Sequence, residues 1–136
     1  MDTDVLVAAV RSPSGASAAL LVLLLDGRAI LLLSVALALE YEAVVMRAEH
    51  LWAAKAAAAD MMLVIDTIVG TAEPVDVHYQ WRPQLTDAGD EMVLECAVNG
   101  RADAIVTFNA RHYGAAPARF GIDVMTPAEA LRRIRT

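Results

Sequence analysis

The sequence predicts an α/β domain in three layers, a parallel central sheet flanked by helices. Three observations predict it. Continuous apolar runs at residues 29–33 and 104–107 have the length and character of strands buried on both faces, as strands in a parallel sheet are. Helical patterns separate the runs, in the order that right-handed βαβ crossovers require. The 136 residues are 57% hydrophobic and 21% charged, enough to bury one core. No repeat, low-complexity tract or linker divides the chain, so residues 1–136 read as a single domain.

The elements follow in order. Ser12-Pro13-Ser14-Gly15 is a loop that caps a helix over residues 16–25, apolar nearly all round and therefore buried. Asp26-Gly27-Arg28 turns the chain into the strand at 29–33. Ser34 caps the next helix, which runs to about Arg47. Residues 50–69 form a further helix, favoured by an alanine run and ended by Gly70. A short strand within 71–77, edged by Pro74, leads to a polar loop at 78–89 that holds Trp81, Arg82 and Pro83. Trp81 reads as a lid on the core. A helix over 90–98 closes at Asn99-Gly100. The strand at 104–107 is followed by a loop with a short helix, then a last strand at 122–125. Thr126-Pro127-Ala128-Glu129 is a capping box with proline at the first helical position. Its helix ends in Arg132, Arg133 and Arg135, which suit the negative end of the helix dipole.

Composition narrows the function. The net charge of −6 argues against a general nucleic-acid coat, which needs concentrated basic residues. It leaves room for an enzyme that meets phosphate through bound cations. Cys96 is the only cysteine, so neither an internal disulfide nor a thiolate zinc cluster is available, as suits a reducing cytoplasm. Asp2 and Asp4 stand where a signal peptide would be basic, and Asp26-Gly27-Arg28 interrupts the apolar stretch at 16–39. No membrane role is expected.

In open parallel sheets the site lies beyond the carboxyl ends of the strands. The acids near such ends are Asp2 and Asp4 at the start, Glu40 after the second strand, and Asp87, Asp90 and Glu91 at a helix opening. Asn109 follows the strand at 104–107. Carboxylates gathered in one place repel one another unless cations or protons hold them. Oxygen ligands favour Mg²⁺ or Mn²⁺. A receiver domain would also pair acids on a parallel sheet. It would need a lysine beside them, and the only lysine, Lys55, lies in the alanine run.

The ordered segments Asp2-Thr3-Asp4-Val5-Leu6-Val7, Ser34 with Glu40-Tyr41, Val75-Asp76-Val77-His78 onward, Asp87-Ala88-Gly89-Asp90-Glu91 and Ala102-Asp103-Ala104-Ile105-Val106-Thr107-Phe108-Asn109-Ala110-Arg111 resemble the PIN-domain family. The resemblance is to the toxin half of toxin–antitoxin pairs and extends through residues 121–131. It implies an endoribonuclease that attacks a phosphodiester in line with water, assisted by Mg²⁺ or Mn²⁺. Asp2, Glu40 and Asp90 would be the catalytic metal ligands, with Asp4, Thr107 and Asn109 behind them. It also implies a cognate antitoxin and a homodimer. In the family several apolar residues precede the first acid and form the central strand. Here Met1 alone does, so the first strand is truncated or residues 5–10 serve as the strand. Asn109 stands where many relatives carry a fourth acid, and His112 where an aspartate often compensates. The alternative is a degenerate PIN domain that binds a partner without cleaving. Among the remaining polar residues, Asp87 reads as a helix cap, Glu91 and Glu95 as solvated helix face, His78 and His112 as loop residues, and Cys96 as a small buried hydrophobe.

Overall fold

The first helix starts where the sequence carries its first acids. The computed structural model describes residues 1–79 and 84–136. In it the backbone leaves an extended conformation at Asp2 and enters α1 (Thr3–Arg11). Val5, Leu6 and Ala9 face the core at helical spacing, and Asp4 lies in the first turn, where the helix dipole favours an acid. Residues 5–10 are therefore helix, which corrects the expectation that they could serve as a strand. α2 (Ala16–Leu25) turns back at 105° to α1, and Leu20, Leu21 and Leu24 are buried. Gly27, at φ +77°, lets the chain reverse in a conformation that a side chain would disfavour.

β1 (Leu32–Leu33) is shorter than the apolar run predicted. Ser34 caps α3 (Val35–Val45), its hydroxyl accepting the Leu37 N–H at 3.2 Å. The helix expected over 50–69 is two helices. α4 (Ala48–Ala54) ends at Lys55 in the left-handed region, at φ 54°, and α5 (Ala58–Thr71) starts after it and continues through Gly70. The break falls inside the alanine run. Propensity there favoured helix, but a weak prior yields where the chain must turn a corner. β2 (Glu73–Pro74) follows. Gln80, Trp81, Arg82 and Pro83 lie outside the described residues, and with them the lid expected of Trp81.

α6 (Ala88–Asn99) is capped by Asp87, whose carboxylate accepts the N–H groups of Gly89 and Asp90. β3 (Ala104–Val106), a 3₁₀ turn (Ala110–Tyr113), α7 (Ala116–Arg119), β4 (Asp123–Met125) and α8 (Pro127–Arg135) complete the chain. The capping box at Thr126 and Glu129 forms as predicted.

The strands pair in parallel, as expected, but as β1–β2 and β3–β4 separately. Among the described residues no strand joins the pairs into the central sheet that was expected. Away from β4, the extended Met1-Asp2 meets β3, the Asp2 N–H donating to the Val106 carbonyl at 2.8 Å. Helices cover both pairs, and one core runs through α1, α2, α3, α5 and α6 to Ile105, Ile122 and Leu131. Among the described residues no single helix is long and apolar enough to cross a membrane.

Glu91 and Glu95, expected on a solvated face, are buried at 5% and 7% exposure. One Glu91 oxygen accepts the N–H groups of Gln84 and Leu85, each at 2.6 Å, which ties the end of the preceding loop to the helix. Cys96 is buried as predicted, and burial raises its thiol pKa.

Candidate active site

Asp2 is the centre of the site and is not a loose terminal residue, being 7% exposed. It precedes α1 without capping it, so its carboxylate is free for other partners. Thr107, just past the end of β3, donates its hydroxyl to Asp2 Oδ2 at 2.7 Å, and the Tyr113 hydroxyl donates to the same oxygen at 2.9 Å. Both donors are buried. They fix the carboxylate's direction and offset the loss of water around its charge. Behind it the Tyr41 hydroxyl, on α3, donates to the Met1 carbonyl and holds the opening backbone against the helix.

Asp4, one residue into α1, is part-buried. Its Oδ2 accepts from the Asn109 amide at 2.8 Å and the Phe108 N–H at 3.3 Å, while Oδ1 has no hydrogen-bond partner. Burial raises the Asp4 pKa, and the Asp2 charge raises it further. Asn109 therefore binds an acid of the cluster through its amide nitrogen. Its own N–H bonds Thr107 Oγ1 at 3.0 Å.

Asp90 lies in the first turn of α6, 7% exposed, with its pKa raised by burial, then by Asp2 and Asp87. Opposing that rise are His112, whose Nδ1 is 3.5 Å from Asp90 Oδ2, and a hydrogen bond with Tyr113. The Tyr113 hydroxyl, bonded to Asp2, also feels the Asp90 charge, and burial among acids raises its own pKa. Glu40 is half-buried on α3. It faces the opening of α6, its Oε1 being 3.8 Å from where a Cβ on Gly89 would stand.

The structure thus brings Asp2, Asp4, Asp90, Thr107 and Asn109 to one end of β3, with Glu40 at the adjoining opening of α6. Sequence reasoning missed Tyr113, and it placed His112 in an ordinary loop. No periodicity marks Tyr113. The available signal was a hydroxyl-bearing aromatic six residues after the strand-end threonine, beside a histidine.

The donor chemistry fits a divalent ion of the Mg²⁺ type: hard oxygens, mutual repulsion, and an orphaned Asp4 oxygen. Among the described residues no three His, Cys, Asp or Glu side chains are placed to hold a metal ion by themselves. An ion held here would keep waters in its shell, as Mg²⁺ does. Beside the acids is a polar groove of about 170 Å³, between residues 84–86 and 111–116, that carries Arg111 and Arg119.

A family model described as PIN domain matches residues 1–111 of the 136. No curated protein and no solved structure is a significant match.

Proposed function

The chain belongs to the PIN-domain family, whose members are generally nucleases, and on that premise we propose that it is a metal-dependent endoribonuclease, the toxin of a toxin–antitoxin pair. The observation that carries the reading is the approach of Asp2 and Asp90, two buried acids far apart in the matched region, whose charges act on each other and on Tyr113. Asp2, Glu40 and Asp90 would hold Mg²⁺ or Mn²⁺. When bound, the ion supplies a Lewis acid that activates water and offsets the charge of the scissile phosphodiester. Thr107 and Tyr113 orient Asp2. Arg111 and Arg119, at the groove, suit the flanking phosphates of an RNA strand.

The experiment is cleavage of structured RNA by the purified protein in Mn²⁺, with and without EDTA, beside Asp90→Asn. Cleavage that needs both the ion and Asp90, falling at least ~100-fold in the variant, is the expected result. Equal cleavage in all lanes ends the proposal.

Partners follow from the same reading. An antitoxin with basic side chains would cover the acids. For a homodimer, the support is an apolar patch: Val35 and Leu39 share one face of α3 at 76% and 61% exposure, and Leu63 on the adjoining α5 is 68% exposed. Sedimentation of the protein alone tests that pairing.

The second reading, a PIN domain that binds a partner without cleaving, is favoured by the amide–carboxylate bond between Asn109 and Asp4, which occupies a site oxygen. Calorimetric titration with Mn²⁺ separates the two. Binding that needs Glu40 and Asp90 removes this second reading.

A further inference from the structure

Asp4 is bonded through one oxygen only. Its Oδ2 accepts the Asn109 side-chain amide at 2.8 Å and the Phe108 N–H at 3.3 Å. Its Oδ1 is buried and has no partner. Among the described residues the other buried side-chain atom left so is the Ser17 hydroxyl. A hydroxyl is neutral, and a carboxylate oxygen loses far more when stripped of water. The unmet demand at Asp4 Oδ1 is therefore the one that calls for an occupant.

The oxygen is held in place by the residues that hold Asp2. Thr107 donates its hydroxyl to Asp2 Oδ2 and accepts the Asn109 N–H, and Asn109 grips Asp4 Oδ2. Phe108, between them, supplies the second donor to Asp4. Thr107, Phe108 and Asn109 thus fix both carboxylates by their Oδ2 atoms. The acids are near enough for the Asp2 charge to act on Asp4, and for Asp2, Asp4 and Asp90 all to act on Tyr113.

Water, a proton or a cation could answer Oδ1. A water stands about 2.8 Å from an oxygen that it bonds, whereas a Mg²⁺-type ion stands at about 2.1 Å, so an ion enters where a water does not. A proton removes the charge but leaves a hydroxyl in need of an acceptor. A divalent ion answers the charges of Asp2 and Asp4 together.

We propose that Asp4 is a direct ligand of the divalent ion through Oδ1, beside Asp2 and Asp90, and that Asn109 is the positioning residue that presents it. The inference rests on the metal-dependent reading and changes its ligand set. Asp4, which the sequence placed behind the ligands, joins them, and waters complete the shell.

Asp4→Asn tests the oxygen directly. The Asn109 amide and the Phe108 N–H need an acceptor, so the new carbonyl takes the place of Oδ2. The NH₂ then takes the place of Oδ1, where it cannot bind a cation. Titration calorimetry of the full chain should find Mn²⁺ bound ~10-fold or more weakly than by the parent. A second measurement needs no variant. With the aspartate carboxyl carbons of the parent labelled with ¹³C, Mg²⁺ should shift the Asp4 resonance together with those of Asp2 and Asp90. An Asp4 that acts only through its charge would weaken binding in the variant yet keep its resonance in place, and that result overturns the proposal. Equal Mn²⁺ affinity in parent and Asp4→Asn overturns it as well. In both cases Asp2 and Asp90 still respond and the metal-dependent reading survives. A parent that binds no Mn²⁺ and shows no shift removes both.

Discussion

Tyr113 is the side chain through which two separated acids become one site. Its hydroxyl is bonded to Asp2 and feels the Asp90 charge, and it is fully buried. Tyr113→Phe keeps the ring and removes one donor from a buried carboxylate. It should cost about 1–3 kcal/mol of stability in metal-free buffer and weaken Mn²⁺ binding, read by urea unfolding and by titration calorimetry. Unchanged values in both would show that Asp2 needs no such support. Much at this scale was legible from the sequence. Acids stand out as candidates wherever an apolar chain carries them, and Asp87 announced itself as a cap by its place before a helix. Tyr113 was not legible, because its role depends on the 3₁₀ turn that carries it back over Asp2. Glu91 was misread for a related reason. Its partners are backbone groups of Gln84 and Leu85, which no pattern of side chains reveals.

The helices followed their patterns closely where a cap or a buried face specified them. Ser34, Asp87 and Thr126 each accept the expected N–H, and α2, α3, α6 and α8 lie near their predicted bounds. The alanine run failed because alanine favours helix without saying where one stops. Lys55 stops it in a left-handed conformation at φ 54°, where a β-carbon costs about 1–2 kcal/mol. Lys55→Gly should therefore raise stability by about 0.5–1 kcal/mol, seen as a higher urea midpoint with unchanged m-value. A loss of stability would mean that the lysine side chain contributes more than the backbone strain removes. The end of α6 is set differently. A Cβ on Gly100 would lie 2.8 Å from both Leu32 and Val75, so the helix comes this close to β1 and the residues after β2 only because glycine is there.

Across the whole molecule the parallel pairing of strands was legible, because short apolar runs between helices leave few other solutions. That the pairs stand apart was not, since it depends on α1 being helical where a strand was an option. The acid cluster gives the folded state a distinctive response to pH. Asp4 and Asp90 bind protons more tightly folded than unfolded. Below the ordinary carboxylate value of 3.8 both states are protonated and no penalty exists. As pH rises through the raised folded values, the unfolded chain has already released its protons, so the folded state loses stability, and the loss persists above them. In EDTA at neutral pH, Asp90→Asn should melt higher than the parent, and the gap should close as pH falls below 3.8. Millimolar Mg²⁺ should reverse the order at neutral pH. A gap independent of pH in melting curves would remove repulsion among the acids as its cause. The bond between Asp2 and Thr107 joins residues 105 apart in the sequence. During synthesis the first acid therefore waits, without its two donors, until more than three quarters of the polypeptide has left the ribosome. A nascent chain released early carries Asp2 and Glu40 but lacks the threonine and tyrosine that aim Asp2, so it cannot assemble the acid cluster.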